Sequence, residues 1–334
     1  LDLASGSVKE SEREKTLSFL KLYLQHVPRE FFDRLTSEDL LEFLLARQEF
    51  LEASLDIPVR VELSRPTDRL SSLQGGFTTV ETRIPDCTFI VRTLKDFFRQ
   101  RGLQIYAVLH PVVGVTETDG VVEVFDPLMR TGDRLSHIYL HVSRVPQEQW
   151  EPLRVELEFR LHTLIAVNEA YQACLQRMAF LRSDLKSSEL DDPKLGPGRG
   201  EIVEFMDWLK DNNFIFLGYA YFSREDNKLS QELGILDFEG HEEARKTVSE
   251  IAGIRLQRED IFSFYRTDCM SVVKSGTQFR YLGVRDRDPL GVVRGEHIFV
   301  GLLSSNSLNE RNSRIPIIAG RMRELLLSLH FRPG

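Results

Sequence analysis

The stretch IPDCTFIVRTLKDFFRQRGLQIYAVLHPVVGV, residues 84–115, decides how this chain is read. Ile90, Leu94, Phe97 and Phe98 recur at steps of three and four, the spacing that gives a helix one buried stripe. Asp86 or Thr88 can cap that helix, which is expected over about 87–101, and Gly102 stands where a C′ glycine ends one. LQIYAVLHPVVGV, residues 103–115, then reads as one long apolar strand. Cys87 at the start of the helix raises a question, because a thiol at a helix N-terminus can be a low-pKa nucleophile.

Outward from this stretch the period is two. VRVEL (59–63) and FTTVETRI (77–84) alternate around a Gly75-Gly76 turn. TETDG (116–120) is a turn, VVEVF a short strand and SHIYLHVSRV (136–145) another alternating one. Upstream, residues 8–54 are helical: Leu17, Phe19, Leu20, Leu22, Tyr23 and Leu24 precede Pro28, and a capping box with Ser37 as N-cap opens a second helix. Downstream of Gln147, apolar residues from Trp150 to Met178 recur at helical steps. They predict one helix of about 35 residues, roughly 50 Å long at the usual rise per residue. KSSELDDPKLGPGRG (186–200) reads as a linker. Beyond it come a short helix with Ile202, Phe205, Met206 and Leu209 inward, a strand over 214–224 and a hairpin turn at REDNK. SVVKS (271–275), FRYLGVRDRD (279–288) and GEHIFVGLLSS (295–305) read as strands, and 314–331 as a closing helix. The fold class is α+β, sheets with helices across one face, and the ferredoxin-like βαββαβ plan is the candidate for the first half. The expected divisions are a helical arm (1–56), a first module with its long connecting helix (57–185), the linker and a second module (201–334).

Bulk composition narrows the function. Of 334 residues, 42% are hydrophobic and 28% charged, and 22 are Phe. Such a composition favours packed cores over disorder. The net charge of −8, with Lys and Arg scattered, gives no field for nucleic acid or an anionic membrane surface. Three cysteines, Cys87, Cys174 and Cys269, form no CxxC pair, so no disulfide framework or zinc knuckle is expected and a reduced, cytoplasmic setting fits. No apolar run reaches membrane-span length, and the N-terminal residues lack a signal-peptide pattern. The ends of the sequence suggest a piece of a longer polypeptide.

Chemistry-bearing constellations are sparse. A nucleophilic Cys87 needs a histidine base. His137 and His141 share one strand face, but no spacing signals a third metal ligand. GPGRGE (196–201) lacks both the Lys-Ser/Thr of a phosphate loop and the G-x-G-x-x-G spacing. The pairs Glu242-Glu243, Asp191-Asp192 and Glu259-Asp260 read as solvated faces, and RDRDP (285–289) as a charged hairpin turn. Phe279 and Tyr281 beside Arg280 and Arg285 could form a stacking platform, yet they read more simply as aromatics packed under helices.

FIFLGYAYF, ELGIL, SVVKSGTQFRYLGV and GEHIFVGLLSSNSLNERNSRIPII occur in this order. With them, the opening stretch and its His110-Pro111 pair, the chain over about 57–331 resembles the N-terminal region of the large bacterial NAD-dependent glutamate dehydrogenases. That resemblance implies tandem ACT-like, ferredoxin-like modules with a regulatory and assembly role, and no catalysis in this segment. It implies no cofactor here, NAD belonging to a catalytic domain outside this sequence. The implied partners are that domain, further subunits of a homo-oligomer and an amino-acid effector, with no nucleic acid and no membrane. The implied effector turn is Pro85, Asp86, Cys87 and Thr88, since a helix N-terminus suits a carboxylate. The family's Asp-Xaa-Pro-Phe is here Asp86-Cys87-Thr88-Phe89, and Arg92 stands where the family has an acidic residue. The alternatives are a purely structural oligomerisation region and, further off, a hydrolase using Cys87.

Overall fold

The computed structural model describes residues 13–27, 35–65, 76–187, 197–258, 260–274 and 276–322. Two compact units emerge: Leu1–Ile165 with Val273–Ser275, and Ala166–Val272 with Gly276–Gly334. The first holds helices α1 (Arg13–His26), α2 (Ser37–Glu52) and α3 (Ile90–Gln100). Its strands are β1 (Arg60–Ser64), β2 (Phe77–Pro85), β3 (Ile105–Leu109), β4 (Val112–Thr118), β5 (Val121–Phe125) and β6 (Asp133–Ser143). Helix α4 (Trp150–Ser187) runs for 38 residues through the boundary between the units. The second unit adds α5 (Arg199–Trp208), β7 (Phe214–Ser223), β8 (Leu229–Gly234), α6 (Glu242–Arg255), β9 (Phe262–Met270), β10 (Gln278–Arg287) and β11 (Val293–Leu303). The chain is thus α+β, with two antiparallel sheets and helices ahead of the first.

In the first unit β6 is the central strand. One side pairs with β2 along its length, from Phe77↔Ser143 to Pro85↔Leu135. The other pairs with β3 at one end, Leu109↔Tyr139, and with β4 at the other, Val112↔Ser136. The expected single strand over 103–115 is therefore two, broken at His110-Pro111. Proline has no N–H for the ladder. Here its carbonyl accepts from the His137 N–H at 3.0 Å. Strands β2 and β3 both run antiparallel to β6, hence parallel to each other, with α3 as their crossover: a split βαβ unit. Its helix buries the anticipated stripe, with Ile90 2%, Leu94 1%, and Phe97 and Phe98 0% exposed. Gly102 follows at φ 67°, a left-handed conformation that costs glycine little.

Along β2 every residue from Thr78 to Ile84 is buried, which alternation alone does not explain. Both faces are covered. Apolar side chains of α1 and α2, among them Phe19, Tyr23, Phe43 and Leu51, form one cluster with Leu109, Val113, Val124 and Tyr139 of the sheet. Strand residues of the opposite parity, Val80, Ile84, Ile138 and Leu140, are at most 1% exposed, as α3 and Leu157, Leu161 and Leu164 of α4 bury their stripes too. The helical arm is thus part of the fold. Its second helix begins one residue earlier than expected: Thr36, not Ser37, is the N-cap, in a capping box with Asp39. Pro28, read as the end of α1, lies outside the described residues.

The second sheet has the order β8-β7-β11-β10-β9, all antiparallel. Helix α6 connects its two edge strands. Residues of α5 and of the second half of α4, including Met178, Leu181, Ile202, Phe205 and Met206, cluster with Phe216, Leu282 and Phe299. The REDNK hairpin turn and the strands over 279–288 and 295–305 are present within small shifts. The described part of SVVKS is not a strand: β9 ends at Met270 and 272–274 are bends. Residues 188–196 of the expected linker, and the closing helix beyond 322, lie outside the described residues; 316–322 are helical.

Candidate functional sites

Strand β2 ends at Pro85, and the Asp86 N–H donates to Arg134 O at 2.8 Å, extending the β2–β6 ladder into the turn. The Asp86 carboxylate does not cap α3. Its Oδ1 accepts from Ser136 Oγ at 2.7 Å, and Arg134 Nε lies 3.6 Å from Oδ2. The N-cap of α3 is Phe89, in a left-handed conformation at φ 71° with no side-chain cap. The capping expected of Asp86 or Thr88 is thus corrected, because Asp86 has a better partner 50 residues away on β6. Ser136 in turn lies 3.0 Å from His110 Nε2. Burial lowers the His110 pKa, so the ring is neutral and its Nε2–H donates to Ser136, whose hydroxyl proton goes to Asp86. This series places a serine between acid and histidine, the wrong order for activating a nucleophile.

Deeper in the same sheet lies a polar cluster under the arm. Tyr23 of α1 is 0% exposed, and burial raises its phenol pKa well above the ordinary value. Its hydroxyl donates to His137 Nδ1 at 2.8 Å. Burial lowers the His137 pKa, so the neutral ring donates its Nε2–H to Glu81 Oε1 at 2.7 Å. Arg47 Nε of α2 lies 2.7 Å from the same oxygen, with its guanidinium 4.8 Å from the rings of Phe43 and Tyr139. That placement over two ring faces adds a cation–π attraction. Arg83 donates to the Ala53 and Ser54 carbonyls, each at 2.7 Å. It thereby places a cation at the C-terminus of α2, where the helix dipole favours one. The same-face pair His137 and His141 thus packs and bonds internally: His141 stacks on Phe77 at 4.5 Å, and burial takes its pKa down to about 4. Among the described residues no group of three or more His, Cys, Asp or Glu could hold a metal ion. Cys174 is 1% exposed, and burial pushes its thiol up to about 12, so it packs as a small apolar group.

The second unit contains a cavity of about 450 Å³ along the edge strand β9. Its apolar wall includes Phe205, Trp208, Phe262, Phe264 and Ile315. Phe205 stacks on Trp208 at 5.5 Å and meets Phe262 and Phe264 edge-on. Both arrangements are among those that aromatic pairs prefer. Its polar wall includes Arg255, Asp260 and Ser263. The Arg255 side chain, 5% exposed, donates from Nε to Glu296 Oε1 at 2.8 Å and from Nη1 to Asp260 Oδ2 at 2.9 Å. Burial alone would lower its pKa, but Glu296 and Asp260 outweigh burial and hold the guanidinium charged. Arg255 Nη2, Asp260 Oδ1 and Ser263 Oγ are each shielded from water and without a hydrogen-bond partner. A Cβ at position 283 would clash with both Glu296 Oε1 and Ser263 Oγ, so only Gly283 admits the two beside it.

Sequence reading did not find this cavity. Asp260 belongs to a pair that the sequence presents as a solvated face, and it is instead bonded to a buried arginine. Arg285, placed in a charged turn, lies in β10 at 5% exposure. Phe279 and Tyr281, at 2% and 0%, are packed in the fold, as their aromatic character suggested. The expected effector residues, Pro85, Asp86, Cys87 and Thr88, are in the first unit, and the cavity is in the second.

Residues 19–157 match the family model described as glutamate dehydrogenase, ACT1 domain. The chain is 22% identical over 335 residues to an NAD-specific glutamate dehydrogenase of Halomonas elongata, covering 95% of this chain and 20% of that protein. It is 25% identical over 306 residues to the NAD-specific glutamate dehydrogenase of Pseudomonas aeruginosa, covering 86% and 19%. The Mycobacterium tuberculosis protein of the same name is 25% identical over 245 residues, covering 70% and 14%. The chain thus spans about a fifth or less of the relatives it matches. No helix among the described residues is long and apolar enough to cross a membrane.

Proposed function

Because this chain carries the ACT1 domain of the glutamate dehydrogenase family, we propose that it is the regulatory and assembly region of a large NAD-dependent glutamate dehydrogenase. The observation that supports this most is the breadth of the match: 95% of the chain aligns with a protein five times its length. The match runs through the arm, the first sheet and the second unit alike. In this reading the parent enzyme oxidatively deaminates glutamate with NAD in a domain outside this sequence. This segment supplies a folded platform that senses a small amino acid and contacts other subunits. The arrangements described above fit that role. The buried histidines are neutral and bonded inward, and the Asp86–Ser136–His110 series has no activated nucleophile.

Two assays test the reading. The purified chain incubated with glutamate and NAD is expected to form no NADH above a buffer control, whereas the full-length enzyme does. NADH formation by the chain alone would refute the non-catalytic assignment. In the full-length enzyme, removing this region is expected to change subunit assembly in analytical ultracentrifugation and to abolish any response to added amino acids. An enzyme whose assembly changes but whose amino-acid responses persist would leave only the structural half of the role. For the turn at Pro85–Thr88, the effector reading expects Asp86→Ala to alter amino-acid binding measured by calorimetry; unchanged binding would remove the turn from the site.

A further inference from the structure

The cavity along β9 combines a long apolar wall with unpaired positive charge. Four consecutive strand residues, from Phe262 to Tyr265, line it. At the usual rise per strand residue they span about 10 Å. Phe205 and Trp208 of α5 add ring surface, and Ile317 and Ile318 add branched hydrocarbon. Arg321 follows those two isoleucines by four and three residues in the helical run 316–322, so it shares their face. Arg258 lines the cavity as well. The ions deeper in the wall are matched, since Arg255 bonds to both Glu296 and Asp260. Arg258 and Arg321 are exposed instead, and among the described residues neither side chain has an ion pair or a hydrogen bond.

The unpaired charge decides the sign of what fits. Two free guanidinium groups beside hydrocarbon favour an anion locally, although the whole chain carries −8. A guanidinium matches a carboxylate well, because its planar N–H groups can hold both oxygens. The apolar wall decides the rest of the ligand. A molecule charged along its length would set ionic groups against Phe264 and Ile318, where nothing repays their lost hydration. The cavity holds about 450 Å³. That lies within the roughly 300–1,000 Å³ of small-ligand sites. Its length along the strand suits an extended hydrocarbon chain. We propose that this cavity binds an amphipathic monocarboxylate of the fatty-acid class, its chain along β9 and its carboxylate beside Arg258 and Arg321. Such binding does not depend on the regulatory reading above.

Trp208 in the wall supplies the readout, since the only other tryptophan, Trp150, can be replaced by phenylalanine. Octanoate, decanoate and dodecanoate are titrated into the Trp150→Phe chain below their micelle-forming concentrations while Trp208 emission is followed, with calorimetry of the unmodified chain alongside. One-to-one saturation by dodecanoate is expected. Each methylene that enters the apolar wall should tighten binding by up to about fourfold. Dodecyltrimethylammonium, the same chain with a cationic head, should bind at least tenfold more weakly than dodecanoate. Replacing both rim cations, Arg258→Gln with Arg321→Gln, should weaken dodecanoate by about tenfold or more, the loss of charge-assisted hydrogen bonds. Ile318→Glu, at a side chain 40% exposed, sets a carboxylate in the apolar wall and should also weaken it. These three positions are exposed, and far-ultraviolet circular dichroism confirms folding. No saturation, several dodecanoates bound per chain, equal affinity for the cationic amphiphile, or affinities that the replacements leave unchanged would overturn the proposal. So would either of two other occupants: phosphatidylglycerol vesicles that sediment the chain while free dodecanoate leaves Trp208 unmoved, or a dimer in analytical ultracentrifugation that Ile318→Glu separates and dodecanoate does not enter.

Discussion

Both units bond a tyrosine hydroxyl to a histidine Nδ1 at 2.8 Å, Tyr23 to His137 in the first and Tyr219 to His297 in the second. Both bury a glutamate beside an arginine, Glu81 with Arg47 and Glu296 with Arg255. The same groups serve different ends. In the first unit the series runs from Tyr23 through His137 and Glu81 to Arg47, and it ties two helices to a sheet. In the second, the arginine has an aspartate as a further partner, and a donor, an acceptor and a hydroxyl remain unmatched beside a cavity. The difference shows how one set of buried polar groups can dock an element in one unit and stay partly unmatched in the other. What separates the two is whether the chain itself supplies the last partner.

The sharpest way to break this comparison is to remove the glutamate at the centre of the first series. Glu81→Ala leaves Arg47 buried without its carboxylate and His137 without its acceptor. Breaking a buried pair in this way is expected to cost about 3–5 kcal/mol. Urea unfolding measures the loss, and limited proteolysis should show earlier cutting within α1 and α2. A loss below about 1 kcal/mol would mean that the apolar cluster alone holds the arm.

Acid should weaken the first unit strongly. Burial lowers the folded-state pKa of His110, His137 and His141, the last to about 4 from an ordinary 6.5. A group whose folded pKa is depressed binds its proton more readily when unfolded, so its stabilisation is present above the unfolded pKa and falls away below it. His141 is 2% exposed, and its window runs from pH 6.5 down to about 4. The loss across that window is on the order of 3 kcal/mol. His141→Phe should flatten that part of the stability profile in thermal unfolding followed from pH 7 to pH 4; an unchanged slope would contradict the assignment. The smallest expected effect is at a helix start. Thr36→Ala removes the capping box of α2. It should cost about 1 kcal/mol by urea unfolding. In the same assay Asp86→Ala is expected to leave α3 helical in circular dichroism, since Asp86 does not cap it.

Periodicity made much of the fold legible. The stripe of α3, Gly102 at its end and the long α4 follow from steps of three and four, and β2, β6, β7, β10 and β11 from alternation or apolar runs. Helix α6 was missed because its buried face is narrow: Ala244, Val248 and Ala252 are small, and Gly253 interrupts the pattern. Strand β9 carries Asp268 and Cys269 near its end, and the apolar SVVKS just beyond it drew the strand assignment instead. Side-chain partners were less legible than elements. Asp86 stands where a cap belongs, and nothing local reveals Ser136 on a distant strand. Arg255, Asp260 and Ser263 look like ordinary residues of a polar loop, and only folding sets them beside Phe205 and Trp208.

Hydrogen–deuterium exchange of the chain and of its Glu81→Ala variant tests the contrast between the units most directly. If the series through Glu81 docks the arm onto the first sheet, the variant should lose protection in peptides covering 13–26 and 37–52, with 255–265 unchanged. Unchanged protection in the arm, or equal losses in both units, would contradict the account.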